Sequence, residues 1–216
     1  MQIRDLYIIG AGGFGREVAW LAERINAVEP TWNIKGFVDD SEAIQGTKLG
    51  NYAVVGTCQM LREMGTEVWV ICAIGPSCVR RQVIEKVSYY DNVKFATLID
   101  PSVLMSSSVQ IGEGSMVCAG NILTVDVSVG KHVIINLDCT IGHDVVLEDY
   151  VTLYPNVNVS GCSLLKSGVE IGTGTQIIQG KTILENTIVG AGTVVVKDLP
   201  ADCTAPTIVF SKIVFP

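Results

Sequence analysis

The chain has 216 residues, of which 48% are hydrophobic and 17% are charged, and its formal net charge is −7 at pH 7. This composition supplies enough apolar side chains for a packed core and excludes an intrinsically disordered chain. The negative charge disfavours nucleic acid and anionic membranes as partners, and no apolar run reaches membrane-spanning length.

The seven cysteines include no CxxC pair and no metal-ligand spacing. An odd number of cysteines without such motifs is typical of reduced thiols in a cytoplasmic protein. The first residues lead directly into an expected strand, so no signal peptide is predicted. We therefore expect a cytoplasmic protein that uses no metal.

Residues 1–95 show the pattern of a Rossmann-like α/β domain. Residues 6–9 are predicted to form a buried strand, followed by a glycine-rich turn and an amphipathic helix from residue 16 to about residue 25. A second strand is expected at 34–38, with Asp39 and Asp40 at its end. A strand, a glycine turn, a helix and a strand ending in an acid form the first half of a nucleotide-binding βαβ fold.

The glycine turn matches the dinucleotide fingerprint at Gly10, Gly12 and Gly15. Its glycines would let backbone N–H groups at the helix start approach a phosphate, and Asp39 could bind a ribose hydroxyl. The domain is too short for two mononucleotide halves and contains no evident catalytic base, which disfavours an NAD-dependent enzyme. A mononucleotide or nucleotide-sugar site and a turn without any ligand both stay open.

A period of six governs the second part of the chain. Every sixth residue from Met105 to Val195 is aliphatic, with no insertion, which is the signature of a hexapeptide-repeat β-helix. Three residues after most of these aliphatics stands a Gly, Asp, Asn or His, types that tolerate left-handed backbone, so this column forms the turns. Residues 96–200 are thus predicted to form about five triangular coils of eighteen residues, followed by a tail over 201–216.

The register of the coil separates the two histidines. His132 lies in the turn column and is expected at a surface corner. His143 lies one position before a turn, in a mostly polar column, so it is expected to point outward toward solvent or another subunit. Gly161, eighteen residues further, should leave room for a ligand against the ring. Asp144 is either a turn residue or a partner that orients the imidazole, and Asn136 presents an outward amide in a column where glycine recurs.

Taken together, these residues resemble the sugar acyltransferases of the sialic acid O-acetyltransferase and bacillosamine-pathway N-acetyltransferase family. The likeness covers nearly the whole chain. It is carried by the segments IIGAGGFG at 8–15, FVDD at 37–40, AIG at 73–75, IN at 135–136, IGHD at 141–144 and IVGAGTVVVK at 188–197.

The resemblance implies a homotrimer of left-handed β-helices with active sites between subunits, acetyl-CoA as donor, and a setting in bacterial surface glycan biosynthesis. The family's general base falls on His143 and its acidic partner on Asp144, with Asn136 as a third catalytic candidate. The acceptor, a nucleotide-linked sugar, would contact the amino-terminal domain at Gly12, Gly13, Phe14, Asp39, Asp40 and Gly75. The acetyl-CoA groove would run past Thr152, Thr173 and Ala191.

Three positions depart from the family pattern. Gly142 stands where an acidic residue often precedes the histidine, which weakens the expected charge around His143. Thr152 stands where a second histidine is usual, and the closing segment at 208–212 is degenerate. The contacts with the CoA tail are therefore not transferred from the family.

The expected reaction is direct acetyl transfer, in which neutral His143 takes a proton from an acceptor amine as it attacks the thioester carbonyl. Cys139 should face inward and Cys162 should lie at a turn, so no cysteine nucleophile is expected. An O-acetyltransferase of sialic acid or another sugar stays open, as does a non-catalytic trimeric scaffold or sugar-nucleotide-binding protein. A γ-class carbonic anhydrase is excluded because its zinc needs three histidines and the chain has 2.

Overall fold

A mostly parallel sheet with helices on its faces forms the amino-terminal part of the chain. The computed structural model describes residues 3–206, so the degenerate segment at 208–212 and most of the predicted tail lie outside the described residues. The strands are β1 (Arg4–Ile9), β2 (Trp32–Val38), β3 (Lys48–Leu49), β4 (Tyr52–Gly56), β5 (Val68–Cys72) and β6 (Val93–Phe95). The helices are α1 (Gly13–Val28), α2 (Cys58–Glu63) and α3 (Ser77–Ser88). The strand order is β3-β4-β2-β1-β5-β6, and only β3 runs antiparallel to its neighbour, so the Rossmann-like prediction is confirmed.

Two glycines of the fingerprint are required by the fold itself. Gly10 directly follows β1 and has φ +102, a conformation that other residues rarely adopt. Gly15 packs so closely on this turn that a Cβ would overlap the carbonyl oxygen of Gly10. A tight strand-to-helix turn therefore accounts for both residues without any ligand.

The second part of the chain is a left-handed parallel β-helix, as predicted. Its strands are two residues long and stack eighteen residues apart, as in the pairing of Met116 with Ile134. Sheet 1 consists of β7 (Leu98–Ile99), β10 (Met116–Val117), β13 (Ile134–Ile135), β16 (Thr152–Leu153), β19 (Glu170–Ile171), β22 (Ile188–Val189) and β24 (Thr204–Ala205). Sheet 2 consists of β8 (Leu104–Met105), β11 (Ile122–Leu123), β14 (Thr140–Ile141), β17 (Asn158–Val159), β20 (Gln176–Ile177) and β23 (Val194–Val195). Sheet 3 consists of β9 (Gln110–Ile111), β12 (Ser128–Val129), β15 (Val146–Leu147), β18 (Leu164–Leu165) and β21 (Thr182–Ile183).

The aliphatic column fills the interior of the coil. Every member from Val117 to Val195 is buried, and together with the small or β-branched column beside it this series forms one continuous apolar cluster. The corners lie in the predicted turn column, where even residues with side chains, such as Asp126 and Asn156, have positive φ. The period of six therefore reports both the core and the corners.

One prediction about the corners is wrong. His132 has the expected left-handed backbone, with φ +55, but it is buried rather than on the surface. Its ring stacks on Tyr150, one coil above, and meets the edge of Phe95 from β6. The amino-terminal domain covers this corner, which the repeat alone does not reveal.

The two parts of the chain share one hydrophobic cluster. Leu21 and Ala22 of α1 pack in the same cluster as Leu98, Met116 and Ile134, which point outward from sheet 1. At the edge of this contact Arg24 forms a bidentate ion pair with Asp100, and the Asp100 side chain is almost fully buried. In residues 3–206 no helix is long and apolar enough to cross a membrane.

Candidate active site

His143 lies at the corner between sheets 2 and 3, immediately before Asp144. Asp144 occupies the turn itself with φ +58, which turns its carboxylate back toward the imidazole. The His143 Nδ1 atom is 2.8 Å from Asp144 Oδ2, and both side chains are about half exposed. Because a carboxylate can only accept a hydrogen bond, this pair favours the tautomer with the proton on Nδ1 and a lone pair on Nε2.

The vertical neighbour of His143 is Gly161, as the register predicts. A Cβ at Gly161 would lie 2.5 Å from Nε2 and 2.6 Å from Cε1 of the imidazole. The space that the glycine leaves is thus occupied by the edge of the ring, not by a ligand as we expected. A ligand must approach His143 from its solvent-exposed side.

Cys162 follows Gly161 and lies at the corner one coil above Asp144. Its backbone has φ +58, and its N–H donates to the carbonyl oxygen of His143 over 2.8 Å. The exposed thiol is 3.9 Å from His143 Nδ1. Cys139, by contrast, is fully buried inside the coil, as predicted.

A pocket of about 210 Å³ lies between α1 and the outer face of sheet 1. It is lined by Phe14, Glu17, Gly75, Ile134, Asn136, Leu137, Thr152, Tyr154 and Pro155. The pocket therefore brings together two acceptor-site candidates, Phe14 and Gly75, with the catalytic candidate Asn136 and the cofactor candidate Thr152. The corner column above Pro155 continues through Thr173 to Ala191, where the Gly192 N–H donates to the Thr173 carbonyl oxygen.

The Thr152 hydroxyl is held inside the domain contact. It donates to the carbonyl oxygen of Gly75 over 2.9 Å and accepts a hydrogen bond from Arg80 Nη2 over 2.9 Å. The residue is 1% exposed. Thr152 thus fixes the wall of the pocket, and only its outer edge faces the pocket space.

Arg80 of α3 is a buried cation with a complete set of acceptors. Its guanidinium donates to the carbonyl oxygens of His132, Ile74, Gly75 and Tyr150 and to Oγ1 of Thr152. Burial lowers the pKa of Arg80 to about 10, which still leaves it protonated at neutral pH. Arg80 therefore joins α3, the loop that contains Gly75 and two coils of the β-helix.

Glu170 makes a second connection between the domains. Its Oε1 atom accepts hydrogen bonds from the backbone N–H and the hydroxyl of Ser77, the first residue of α3. Its Oε2 atom accepts from the Tyr154 hydroxyl over 3.2 Å. Burial and the neighbouring Glu170 carboxylate raise the pKa of Tyr154 to about 12, so this pocket residue stays protonated and is a hydrogen-bond donor.

The loop at the start of α1 leaves open space around two glycines. A Cβ at Gly12 would meet no atom within 4 Å, and at Gly13 the nearest atom is the end of the Arg16 side chain, 3.9 Å away. No side chain caps the α1 N-terminus, and its first turn contains no acidic residue. Backbone N–H groups at a helix N-terminus attract phosphate, so the geometry suits an anionic group.

Asp39 and Asp40 already have partners within the domain. Asp39 accepts hydrogen bonds from the N–H groups of Ala11 and Ser41, each over 3.0 Å. Asp40 accepts from the N–H of Cys58 and forms an ion pair with Lys86. Burial alone would raise the pKa of Asp40, but the bonds from Cys58 and Lys86 outweigh it and lower the pKa overall. These carboxylates shape the loop around the glycines, and Asp39 lies directly beside it.

The structure brings four of the predicted residues together at the pocket and places the predicted base at a different corner. Asn136, Thr152, Phe14 and Gly75 meet at the pocket on sheet 1, whereas His143 and Asp144 lie at the next corner of the coil, on the far side of sheet 2. Tyr154 was missed, although it lies one coil above Asn136 in the column where glycine recurs. Like Asn136, it is a larger residue that interrupts the series of glycines. Glu170 was missed because nothing in the repeat indicates which outward positions another domain covers, and Arg80 was missed because nothing in the sequence indicates that α3 packs on the coil.

Comparisons with known proteins agree with this architecture. Residues 5–87 match the family described as the PglD N-terminal domain. The acetyltransferase domain of PglB from Neisseria gonorrhoeae, solved with acetyl coenzyme A, is similar in structure with a TM-score of 0.86 and 31% identity over 95% of this chain and 97% of that one. PerB from Caulobacter crescentus, solved with CoA and GDP-perosamine, has a TM-score of 0.82 and 33% identity, covering 95% of each chain.

Two curated relatives are similar to this chain over shorter segments. The UDP-N-acetylbacillosamine N-acetyltransferase of Bacillus subtilis is 33% identical over 118 residues, which is 54% of this chain and 52% of that protein. A serine acetyltransferase of Synechococcus elongatus is 33% identical over 72 residues, 30% of each protein. The chain thus spans about half the length of the first curated relative and less of the second.

Proposed function

Because the chain belongs to the family of hexapeptide-repeat sugar acetyltransferases with a PglD-type N-terminal domain, we propose that it transfers the acetyl group of acetyl-CoA to the amino group of a nucleotide-linked sugar. Relatives that are similar over nearly the whole chain were solved with acetyl coenzyme A or with CoA and GDP-perosamine. The PglD-type domain and the open glycine loop support a nucleotide-linked acceptor rather than a free sugar.

The observation that carries this proposal is the pairing of His143 with Asp144. The carboxylate holds the proton on Nδ1, so the lone pair lies on Nε2 and this nitrogen is the proton acceptor of the ring. A neutral imidazole in this tautomer is a suitable general base near pH 7. His143 would remove a proton from the acceptor amine as the amine nitrogen bonds to the thioester carbon, and the same proton then passes to the CoA sulfur as the carbon–sulfur bond breaks. Backbone N–H groups of a neighbouring coil would stabilise the oxyanion.

The acceptor nucleotide fits the loop at Gly12 and Gly13. Its phosphates would lie at the uncapped start of α1, where Gly12 leaves space for close approach. Asp39 is bonded to the adjacent Ala11 N–H and would position this loop and accept from a ribose hydroxyl. Phe14 and Gly75 would then lie on the sugar side, at the pocket with Asn136 and Tyr154.

A homotrimer would complete the site. His143 and the sheet 1 pocket lie at different corners of the coil. An adjacent subunit would therefore place its own pocket next to the His143 of this subunit. Apolar side chains surround His143 on the outer surface: Val125 directly below it is 48% exposed, Ile122 of sheet 2 is 40% exposed and Val146 of sheet 3 is 37% exposed. Burial of these residues against a second copy would exclude water from the reacting groups.

Replacement of His143 tests the base directly. We expect His143→Ala to lower kcat by about 10²- to 10⁴-fold with a UDP- or GDP-linked amino sugar and acetyl-CoA, because loss of a general base has that cost. Gln179→Ala, which removes an exposed side chain from the same outward column two coils above, is the matched control and should keep normal activity. Near-normal kcat in His143→Ala would show that another group is the base.

Two other functions predict different outcomes in the same assay. An O-acetyltransferase uses the same base, so it would acetylate sialic acid or a related hydroxyl acceptor and leave nucleotide-linked amino sugars unchanged. A trimeric scaffold or sugar-nucleotide-binding protein would bind the nucleotide without any turnover of acetyl-CoA. Similar proteins that are named as N-acetyltransferases, of UDP-N-acetylbacillosamine and of perosamine, favour the amine acceptor over both.

A further inference from the structure

We infer that His143, Asp144 and Cys162 form a site for a thiophilic divalent metal ion, with Zn²⁺ as the fitting ion, and that the metal blocks the general base. One donor atom from each residue lies within 4.8 Å of the other two, and this is the one such group of three that residues 3–206 contain. The metal is an inhibitor here and not a cofactor of acetyl transfer. Its role rests on the proposed function, but its binding does not.

The spacing of the three donors is close to that of a tetrahedral site. His143 Nδ1 is 2.8 Å from Asp144 Oδ2 and 3.9 Å from Cys162 Sγ. Zinc bonds of their usual lengths, at tetrahedral angles, imply donor separations of about 3.3 to 3.6 Å. Small side-chain rotations of these exposed groups would bring all three to that distance, and a water molecule would fill the fourth position.

The identity of residue 162 has no explanation in the coil itself. It occupies a left-handed corner with φ +58, where this chain elsewhere mostly places Gly, Asp or Asn. A cysteine gains nothing from that backbone conformation, and its side chain is exposed rather than packed. Imidazole, carboxylate and thiolate are together a donor set that selects Zn²⁺ over Mg²⁺ or Ca²⁺.

Metal binding would remove the basic nitrogen of His143. A neutral imidazole has one lone pair on its ring nitrogens and one N–H. When Nδ1 binds Zn²⁺, the ring proton moves to Nε2, so the nitrogen that faces the acceptor becomes a donor. The thiol of Cys162 loses its proton to solvent as the Zn–S bond forms, so one proton is released for each ion bound.

Cobalt provides a direct measurement that needs no activity. We expect Co²⁺ titrated into the full-length protein to give a thiolate-to-metal charge-transfer absorption that saturates at one ion per chain and is displaced by Zn²⁺. Cys162→Ser should abolish this band, and His143→Ala should weaken Co²⁺ binding by about tenfold or more, since even outer partners of a metal site are worth 10- to 100-fold. Cys78→Ser, which removes an exposed thiol in α3, is the matched control and should keep the band.

The kinetic measurement connects the site to catalysis. Zn²⁺ should inhibit acetyl transfer by the wild type, and Cys162→Ser should raise the inhibitory Zn²⁺ concentration by about tenfold or more when each variant is compared with its own uninhibited rate. A cobalt band that persists in Cys162→Ser, or its absence from the wild type, overturns the metal site. If the cobalt band is present but Zn²⁺ does not change turnover, the bound metal does not block the base. Absence of turnover in every variant contradicts the proposed function alone.

Discussion

Gly161 lies so close above His143 that a methyl group at residue 161 would be 2.5 Å from the Nε2 atom of the imidazole. The ring edge fills the position of the missing side chain. The glycine backbone therefore sets the height and tilt of the ring from one side, while the bond from Nδ1 to Asp144 sets them from the other.

The first prediction concerns this contact. Gly161→Ala should displace the imidazole and lower kcat by about 10²-fold, because a misplacement of about 1 Å has that effect on a reacting group. The expected loss of stability is small because the half-exposed ring can move outward. Steady-state kinetics and thermal unfolding measure the two effects. Gly65→Ala, at an exposed position where a Cβ meets nothing within 4 Å, is the control, and unchanged kcat in Gly161→Ala would contradict the prediction.

The second prediction concerns the buried cation of α3. Arg80→Lys should destabilise the protein by on the order of 3 kcal/mol, because one ammonium group cannot reach the acceptors that the guanidinium joins and several buried carbonyl oxygens lose their donor. Urea unfolding followed by circular dichroism measures the change. Arg62→Lys, at an exposed position in α2, should leave the urea concentration at the midpoint of unfolding unchanged. Equal midpoints for both variants would show that water replaces the lost donors.

The third prediction separates binding from structure at Asp39. Asp39→Ala should raise the KM for the nucleotide sugar by about tenfold, or about 1.4 kcal/mol, with a smaller change in kcat, because the residue lies beside the glycine loop and far along the chain from the base. Asp5→Ala, at the opposite end of the same sheet, is the matched control. If thermal stability falls while KM stays constant, the carboxylate serves only the bonds to Ala11 and Ser41.

The fourth prediction is a pH dependence of stability. Burial lowers the pKa of His132 from 6.5 to about 4, and the Arg80 guanidinium adds to this effect. Between those two values the unfolded chain binds a proton that the folded chain excludes, so stability falls as the pH drops through this window. The loss should reach on the order of 2 kcal/mol at about pH 5.

Comparison with a variant isolates this histidine from the carboxylates. His132→Asn keeps a residue type that tolerates the left-handed corner, so it should lose stability at neutral pH but show a flatter profile between about pH 6.5 and pH 4. Urea unfolding across that range measures both. A profile as steep as that of the wild type would assign the pH dependence to other groups.

The coil could be predicted from the sequence because its order is local. Each position in the repeat has the same neighbours at a fixed separation, so the core, the corners and the outward direction of His143 follow from the period of six. Gly161 above His143 follows from the same rule, as does the stacking of Tyr150 on His132.

The contacts between the domains could not be predicted in this way. The burial of His132 depends on Phe95, and the partners of Arg80 and Glu170 depend on where α3 docks on sheet 1. Such contacts join residues far apart in the chain, and a single sequence contains no pattern that relates them. The catalytic and binding roles of all the predicted site residues stay predictions, as does the cytoplasmic location.

The apolar contact between α1 and sheet 1 limits how this protein could change over time or be engineered. Leu98, Met116 and Ile134 are outward residues of the coil, yet they belong to the same core as Leu21 of α1. A coil without its first 95 residues would expose this row to water, and a foreign sugar-binding domain would need a complementary surface of its own. Acceptor specificity is therefore expected to diverge by substitution of residues that line the pocket. Exchange of the whole amino-terminal domain would break the core that it shares with the coil.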